Sequence, residues 1–185
     1  MTLLATYNKK VIPALQKEFG LKSPMAVPKI EKVVINTGFG KLVSGKTRDE
    51  AKKAIASILK DLADITGQKP ALTKARKSIA GFKLREGYPI GAKVVLRKKR
   101  MYDFLDRLVD IVFPRSRDFK GIDRKSVDSS GNLTIGLEEQ VFFPEIVPQD
   151  IKMNFGFEIT IVTSAKTREE GLKLFDELQF PLKKA

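Results

Sequence analysis

Residues Lys69 to Arg100 read KPALTKARKSIAGFKLREGYPIGAKVVLRKKR, and this stretch decides the fold. Gly81, Gly87, Pro89 and Gly91 break it into short extended pieces. Ala92, Val94 and Leu96 alternate with Lys93, Val95 and Arg97, the period of two that a strand with one buried face requires. The segment therefore predicts two strands joined by a long basic β-hairpin, and a hairpin enforces antiparallel pairing. With helices interspersed elsewhere, the predicted class is α+β: an antiparallel sheet with helices packed on one face. The other face and its loops are left open to a ligand.

On the N-terminal side, Thr47 and Glu50 stand at capping-box spacing and predict a helix start. Ala51, Ile55, Ile58, Leu62 and Ile65 recur at helical spacing, and Gly67 supplies a left-handed stop. Ile30 to Asn36 is rich in β-branched residues and predicts a strand, with Val33 and Ile35 on one face and Lys32, Val34 and Asn36 on the other. Leu4, Val11, Ile12, Leu15 and Phe19 suggest an opening amphipathic helix closed by Gly20.

On the C-terminal side, Met101, Phe104, Leu105, Leu108 and Val112 mark a helix that should halt before Pro114, because proline disfavours helical geometry in the residue before it. Strands are predicted at Leu133 to Leu137 and Phe157 to Thr163. A last helix is capped by Thr167 and Glu170, with Leu172, Phe175 and Leu178 as its apolar side. The 185 residues fit one domain spanning 1–185, with no internal repeat.

Charge is concentrated. The formal net charge is +13, yet residues 69–100 alone carry eleven basic side chains and one acid, Glu86, while residues 101–185 carry more acids than bases. A solvated face mixes both signs, so this surplus points to a phosphate backbone as partner. Phe82 and Tyr88 are the only aromatics in the stretch, which argues for structured RNA read by shape and backbone over stacking on single strands. The bland alternative is a solubilising hairpin; a membrane-surface patch is weaker still, since the segment reads as strands and not as a basic amphipathic helix.

The chain has no histidine and no cysteine, which removes most proton-transfer constellations, disulfides and thiolate metal sites. Neither catalytic nor metal-binding residues, nor a cofactor or small-molecule substrate, are expected. No apolar run reaches membrane-spanning length and no cleavable leader is evident, so a cytoplasmic location with no membrane association is expected. Gly40-Lys41-Leu42-Val43-Ser44-Gly45-Lys46-Thr47 does satisfy the phosphate-loop pattern G-x-x-x-x-G-K-[ST], between a predicted strand and a predicted helix. Two things oppose that alternative: no later strand ends in a metal-holding aspartate, and the hairpin is foreign to a mostly parallel sheet.

Ile65-Thr66-Gly67-Gln68-Lys69-Pro70-Ala71-Leu72-Thr73-Lys74-Ala75-Arg76-Lys77-Ser78 closely resembles the signature of large-subunit ribosomal protein five, the 5S rRNA-binding family. Gly81-Phe82-Lys83-Leu84-Arg85, Gly87-Tyr88-Pro89-Ile90-Gly91, Pro114 to Gly121 and Phe143-Pro144-Glu145-Ile146 are similar to further blocks of that family, in family order. The resemblance implies a non-enzymatic constituent of the large ribosomal subunit, placed in the central protuberance against 5S rRNA and 23S rRNA. It implies rRNA contacts at Asn36 and Gln68, with Lys32 on the strand face of Asn36, and we add Lys69, Lys74, Lys93 and Arg97 from the basic stretch. It further implies that the hairpin loop, here Arg76, Lys77, Ser78, Phe82 and Lys83, reaches P-site tRNA, and that a small-subunit head protein is met at an intersubunit bridge. Val95 stands where relatives often carry threonine.

Overall fold

The computed structural model describes every residue except Met1, Ser44, Lys83, Asp118, Pro148, Asp150, Lys152, Lys184 and Ala185. Its helices are residues 3–19 (α1), Arg48–Thr66 (α2), residues 98–115 (α3) and Arg168–Glu177 (α4), besides single turns. Its strands are Ile30–Gly38 (β1), Ala71–Lys74 (β2), Pro89–Leu96 (β3), Leu133–Leu137 (β4) and Phe157–Thr163 (β5). They form an antiparallel sheet in the order β2-β3-β1-β5-β4 with helices packed on it, the α+β class predicted. The chain divides into two compact units, one of Met1–Val33, Leu96–Ile135 and Thr160–Ala185, the other of Val34–Val95 and Gly136–Ile159.

In the second unit, β2 and β3 pair antiparallel with Ala71 opposite Lys93, Leu72 opposite Ala92 and Thr73 opposite Gly91; the register slips between Thr73 and Lys74. Helix α2 begins at the predicted capping box: the Glu50 N–H donates to Thr47 Oγ1 at 3.4 Å and the Thr47 N–H to a Glu50 carboxylate oxygen at 3.1 Å. The helix ends at Gly67, whose φ of 64° is the left-handed geometry that glycine adopts without strain. Its stripe of Ala51, Ile55, Ile58, Leu62 and Ile65 is buried, as are Ile35, Ala92 and Val94 of the strands. Each large apolar side chain so buried contributes about 1.5–3 kcal/mol of transfer free energy.

The connection before β5 is held by Gln140, which is fully buried. Its amide nitrogen donates to the Met153 carbonyl at 2.8 Å and its oxygen accepts the Phe155 N–H at 3.0 Å. A loop whose prolines exclude regular structure thereby satisfies backbone groups it would otherwise leave unpaired.

In the first unit, helix α3 does not halt before Pro114; it continues through Phe113–Arg115. The reason is a π-helical turn at Leu108–Val112, where the Phe113 N–H bonds the Leu108 carbonyl five residues back. The wider turn makes room for a proline ring that would otherwise collide with the carbonyl four residues earlier. Helix α1 solves the same problem the same way, with a π-helical turn at Tyr7–Val11 immediately ahead of Pro13. Its inward line is accordingly Leu3, Tyr7, Val11 and Leu15, while Leu4, expected on that face, is 42% exposed. In α4, Leu174 and Phe175 are fully buried and Leu172 only partly, because Gly171 and not a larger residue faces the glycine turn at Gly131.

Candidate nucleic-acid interface

Alternation sets which side chains the sheet offers to a ligand. Along β1, Val33, Ile35 and Thr37 are buried, and Lys32, Val34, Asn36 and Gly38 lie on the more accessible side. Along β3, Ala92, Val94 and Leu96 are buried while Lys93 is exposed and Val95 half-buried. Both divisions are those predicted.

Within the second unit, Asn36 and Lys93 therefore stand on outward positions of their strands, and Ala71, directly opposite Lys93, shares its face. Close approach of the strands depends on Gly91: a Cβ there would lie 2.6 Å from the Thr37 carbonyl oxygen and 2.7 Å from Thr73 Oγ1. Thr37 is itself anchored, its hydroxyl donating to the Gly156 carbonyl at 2.8 Å, which fixes β1 at the residue after Asn36.

Gln68 sits just past the left-handed Gly67. Its side-chain amide donates to the Val95 carbonyl at 3.3 Å, so α2 delivers it to the end of β3. The preceding Thr66 is buried; its Oγ1 lies 2.7 Å from the Leu62 carbonyl oxygen and 3.1 Å from the Gln68 carbonyl oxygen, and accepts the Gln68 N–H at 3.4 Å. Lys69 and Lys74 are exposed, the first ahead of β2 and the second its last residue. The slip at Thr73/Lys74 interrupts alternation, so Lys74 is not placed on the Lys93 face by register. Lys32 and Arg97 belong to the other unit, half-buried and exposed respectively.

Beyond β2 the chain makes the predicted arm. The Ala75 N–H bonds the Tyr88 carbonyl at 2.8 Å, the Gly87 N–H bonds the Ala75 carbonyl at 3.0 Å, and Ile79 and Leu84 exchange backbone bonds at 3.0 and 3.1 Å. Arg76, Lys77 and Ser78 are exposed on it, and Phe82 is 68% exposed at its far end. Ser78 has a structural duty that its sequence context does not reveal: its Oγ accepts the Glu86 N–H at 2.9 Å and ties the two sides of the arm together. Lys83, expected to contact tRNA, lies outside the described residues.

The phosphate-loop string adopts a different geometry from an anion cradle. Leu42 and Val43 N–H groups both bond the Phe39 carbonyl, the Lys46 N–H bonds the Val43 carbonyl, and the Thr47 N–H bonds Glu50. Those amides face acceptors of their own chain, and Gly40–Val43 forms a helical turn, with Ser44 outside the described residues. Thr47 is occupied as the cap of α2. Hydrogen bonding to Thr47 also holds the Glu50 carboxyl below its usual range.

Periodicity locates the strand faces but not Gln140 or Gly91, whose work depends on contacts remote in sequence, nor Thr66, whose hydroxyl serves Leu62 and Gln68 nearby in the chain. A threonine at a helix end followed by glycine is the one local signal, and it marks a cap as readily as a positioning role.

Similarity to known proteins extends over most of the chain. Residues 23–85 match the family described as Ribosomal protein L5, and residues 89–182 match the model of that ribosomal family's C-terminus. The chain is similar to the large ribosomal subunit protein uL5 of Colwellia psychrerythraea, 51% identical over 178 residues that cover 96% of this chain and 95% of that protein. Two matched regions that together span most of the sequence, and a relative at this identity over nearly its full length, leave one assignment: the chain belongs to the ribosomal protein L5 family.

Proposed function

We propose that this chain, a structural and non-enzymatic constituent of the large ribosomal subunit in the cytoplasm, holds 5S rRNA through the outward positions of β1 and β3 and reaches transfer RNA with its arm. Residues 1–185 serve as one RNA-binding domain within a complex of rRNA and ribosomal proteins. The observation that carries the reading is the conjunction, in one unit, of Asn36 and Lys93 at outward strand positions, of Gln68 held at the end of β3, and of an adjoining arm whose basic stretch contains a single acid. Amide side chains donate to phosphate oxygens and also read ribose and base edges, and lysines neutralise backbone charge. Lys69 and Lys74 add to that neutralisation within the same unit, and Lys32 and Arg97 are rRNA contacts of the other unit. The arm residues Arg76, Lys77, Ser78, Phe82 and Lys83 address the P-site tRNA. The family resemblance supports 23S rRNA and a small-subunit head protein as further partners.

Filter binding of 5S rRNA across a salt series tests the reading. Affinity should fall steeply with salt as counterions are released, and the combined substitutions Asn36→Ala, Gln68→Ala and Lys74→Ala should weaken binding by at least about tenfold at fixed salt. Tight binding that survives all three would reject the surface. Equal affinity for unrelated RNA at matched salt would reduce the protein to a general polyanion binder.

A further inference from the structure

Thr66 is the last residue of α2 and is buried, yet its hydroxyl does more than close the helix. Its Oγ1 accepts the Gln68 N–H at 3.4 Å, and its single proton is shared between the Leu62 carbonyl at 2.7 Å and the Gln68 carbonyl at 3.1 Å. Gln68 is thereby held at its main chain by Thr66 and at its side-chain nitrogen by the Val95 carbonyl at 3.3 Å. A glutamine has several rotatable bonds and, on the surface after a glycine, would ordinarily sample many rotamers. Here its backbone is fixed on one side and its amide on the other, so its remaining amide hydrogen and its carbonyl oxygen have a set direction before any ligand arrives.

We infer that Thr66 is a positioning residue for RNA recognition: its buried hydroxyl pre-orients Gln68, and the RNA affinity of this chain depends on that hydroxyl through Gln68 alone. The inference rests on the reading of Gln68 as an RNA contact. Ordering one flexible side chain in advance removes an entropic cost from association, which corresponds to roughly a three- to tenfold gain in affinity.

The test is a double-mutant cycle on the full chain with 5S rRNA as probe, read by filter binding at constant salt. Thr66→Val keeps the shape and removes the hydroxyl; it should weaken binding by roughly three- to tenfold. Thr66→Ser, which restores the hydroxyl, should return affinity to that of the parent. In a Gln68→Ala background Thr66→Val should cost nothing further, whereas any loss of thermal stability should be the same in both backgrounds. A purely structural threonine would give either no change in affinity or the same loss with and without Gln68, and either result overturns the inference.

If Gln68→Ala by itself leaves affinity unchanged, the reading of Gln68 fails and the inference falls with it, a result distinct from failure of Thr66 alone. Should Thr66→Val not fold, relaxation of the Gln68 side-chain amide in the unsubstituted protein decides. An order parameter near that of rigid backbone supports the inference, and one below about 0.6 overturns it.

Discussion

At the scale of single residues, the chain's polar and small side chains carry obligations that no hydropathy pattern announces. Gly91 is the sharpest case. Its missing Cβ is what lets the Thr37 carbonyl and the Thr73 hydroxyl come within 2.6 and 2.7 Å of the position that atom would take. Backbone on one side and a strand neighbour on the other leave little room to yield. Gly91→Ala should therefore destabilise the protein by about 1–3 kcal/mol, seen as a lower urea midpoint with the slope unchanged; an unchanged midpoint would show that the strands can part at no cost. Tyr7 is a second case. Its hydroxyl donates to the Pro28 carbonyl at 3.2 Å, and burial, with a contribution from Tyr102, pushes its pKa up to about 12. Because an unfolded tyrosine ionises near pH 10, the stability tied to the neutral phenol is complete below about pH 10 and is lost as pH rises toward about 12. Ultraviolet titration of the folded protein should show a late-ionising tyrosine that disappears in Tyr7→Phe.

At the scale of elements, local grammar sets most boundaries. β4 and β5 run from Leu133 to Leu137 and from Phe157 to Thr163 as alternation predicts, and α2 starts and stops at the capping box and glycine that name it. The departures have two sources, a wider helical turn ahead of a proline and a glycine contact from outside the helix. In sequence Pro114 reads as a stop because its ring is incompatible with an α-helical turn, but a π-helical turn accommodates it, and Pro13 is accommodated likewise. Packing against the rest of the unit, which periodicity does not report, favours continuing the helix over ending it. Leu3 replaces Leu4 where the helix leads into its π-helical turn at Tyr7–Val11, while in α4 Leu174 joins Phe175 in the core beside Gly171, which faces the Gly131 turn. The phosphate-loop string belongs to this scale too. With Thr47 engaged as a cap and the Leu42, Val43 and Lys46 amides bonded internally, Thr47→Ala should cost about 1 kcal/mol in thermal unfolding. Lys46→Ala should cost nothing measurable. Equilibrium dialysis with labelled ATP and magnesium should show no retention by either the parent or Lys46→Ala; retention that Lys46→Ala abolishes would revive the nucleotide-binding reading.

At the scale of the whole molecule, class and family are legible because they rest on features that repeat: alternation in two strands, a hairpin between them, and blocks of sequence in a fixed order. The outward positions of Asn36 and Lys93 follow from the same alternation. What stays hidden is how the interface is held, since the anchors of Gln68 come from Thr66 beside it and from Val95, 27 residues further on. A surface that must present fixed donors to a polyanion needs such buried support, and buried support is specified by the fold more than by any local motif.

The one-residue slip between Thr73 and Lys74 has a geometric outcome of its own. Thr73 stands opposite Gly91 and Lys74 opposite Pro89, so Ile90 is an extra residue of β3, and such an insertion bends its strand and increases the local twist. Lys74, where the arm begins, is thereby released from the alternation that puts Ala71 and Lys93 on one face. Under the function proposed above, that break separates a strand-face group of cations from an arm group, the division that contact with two different polynucleotides would require.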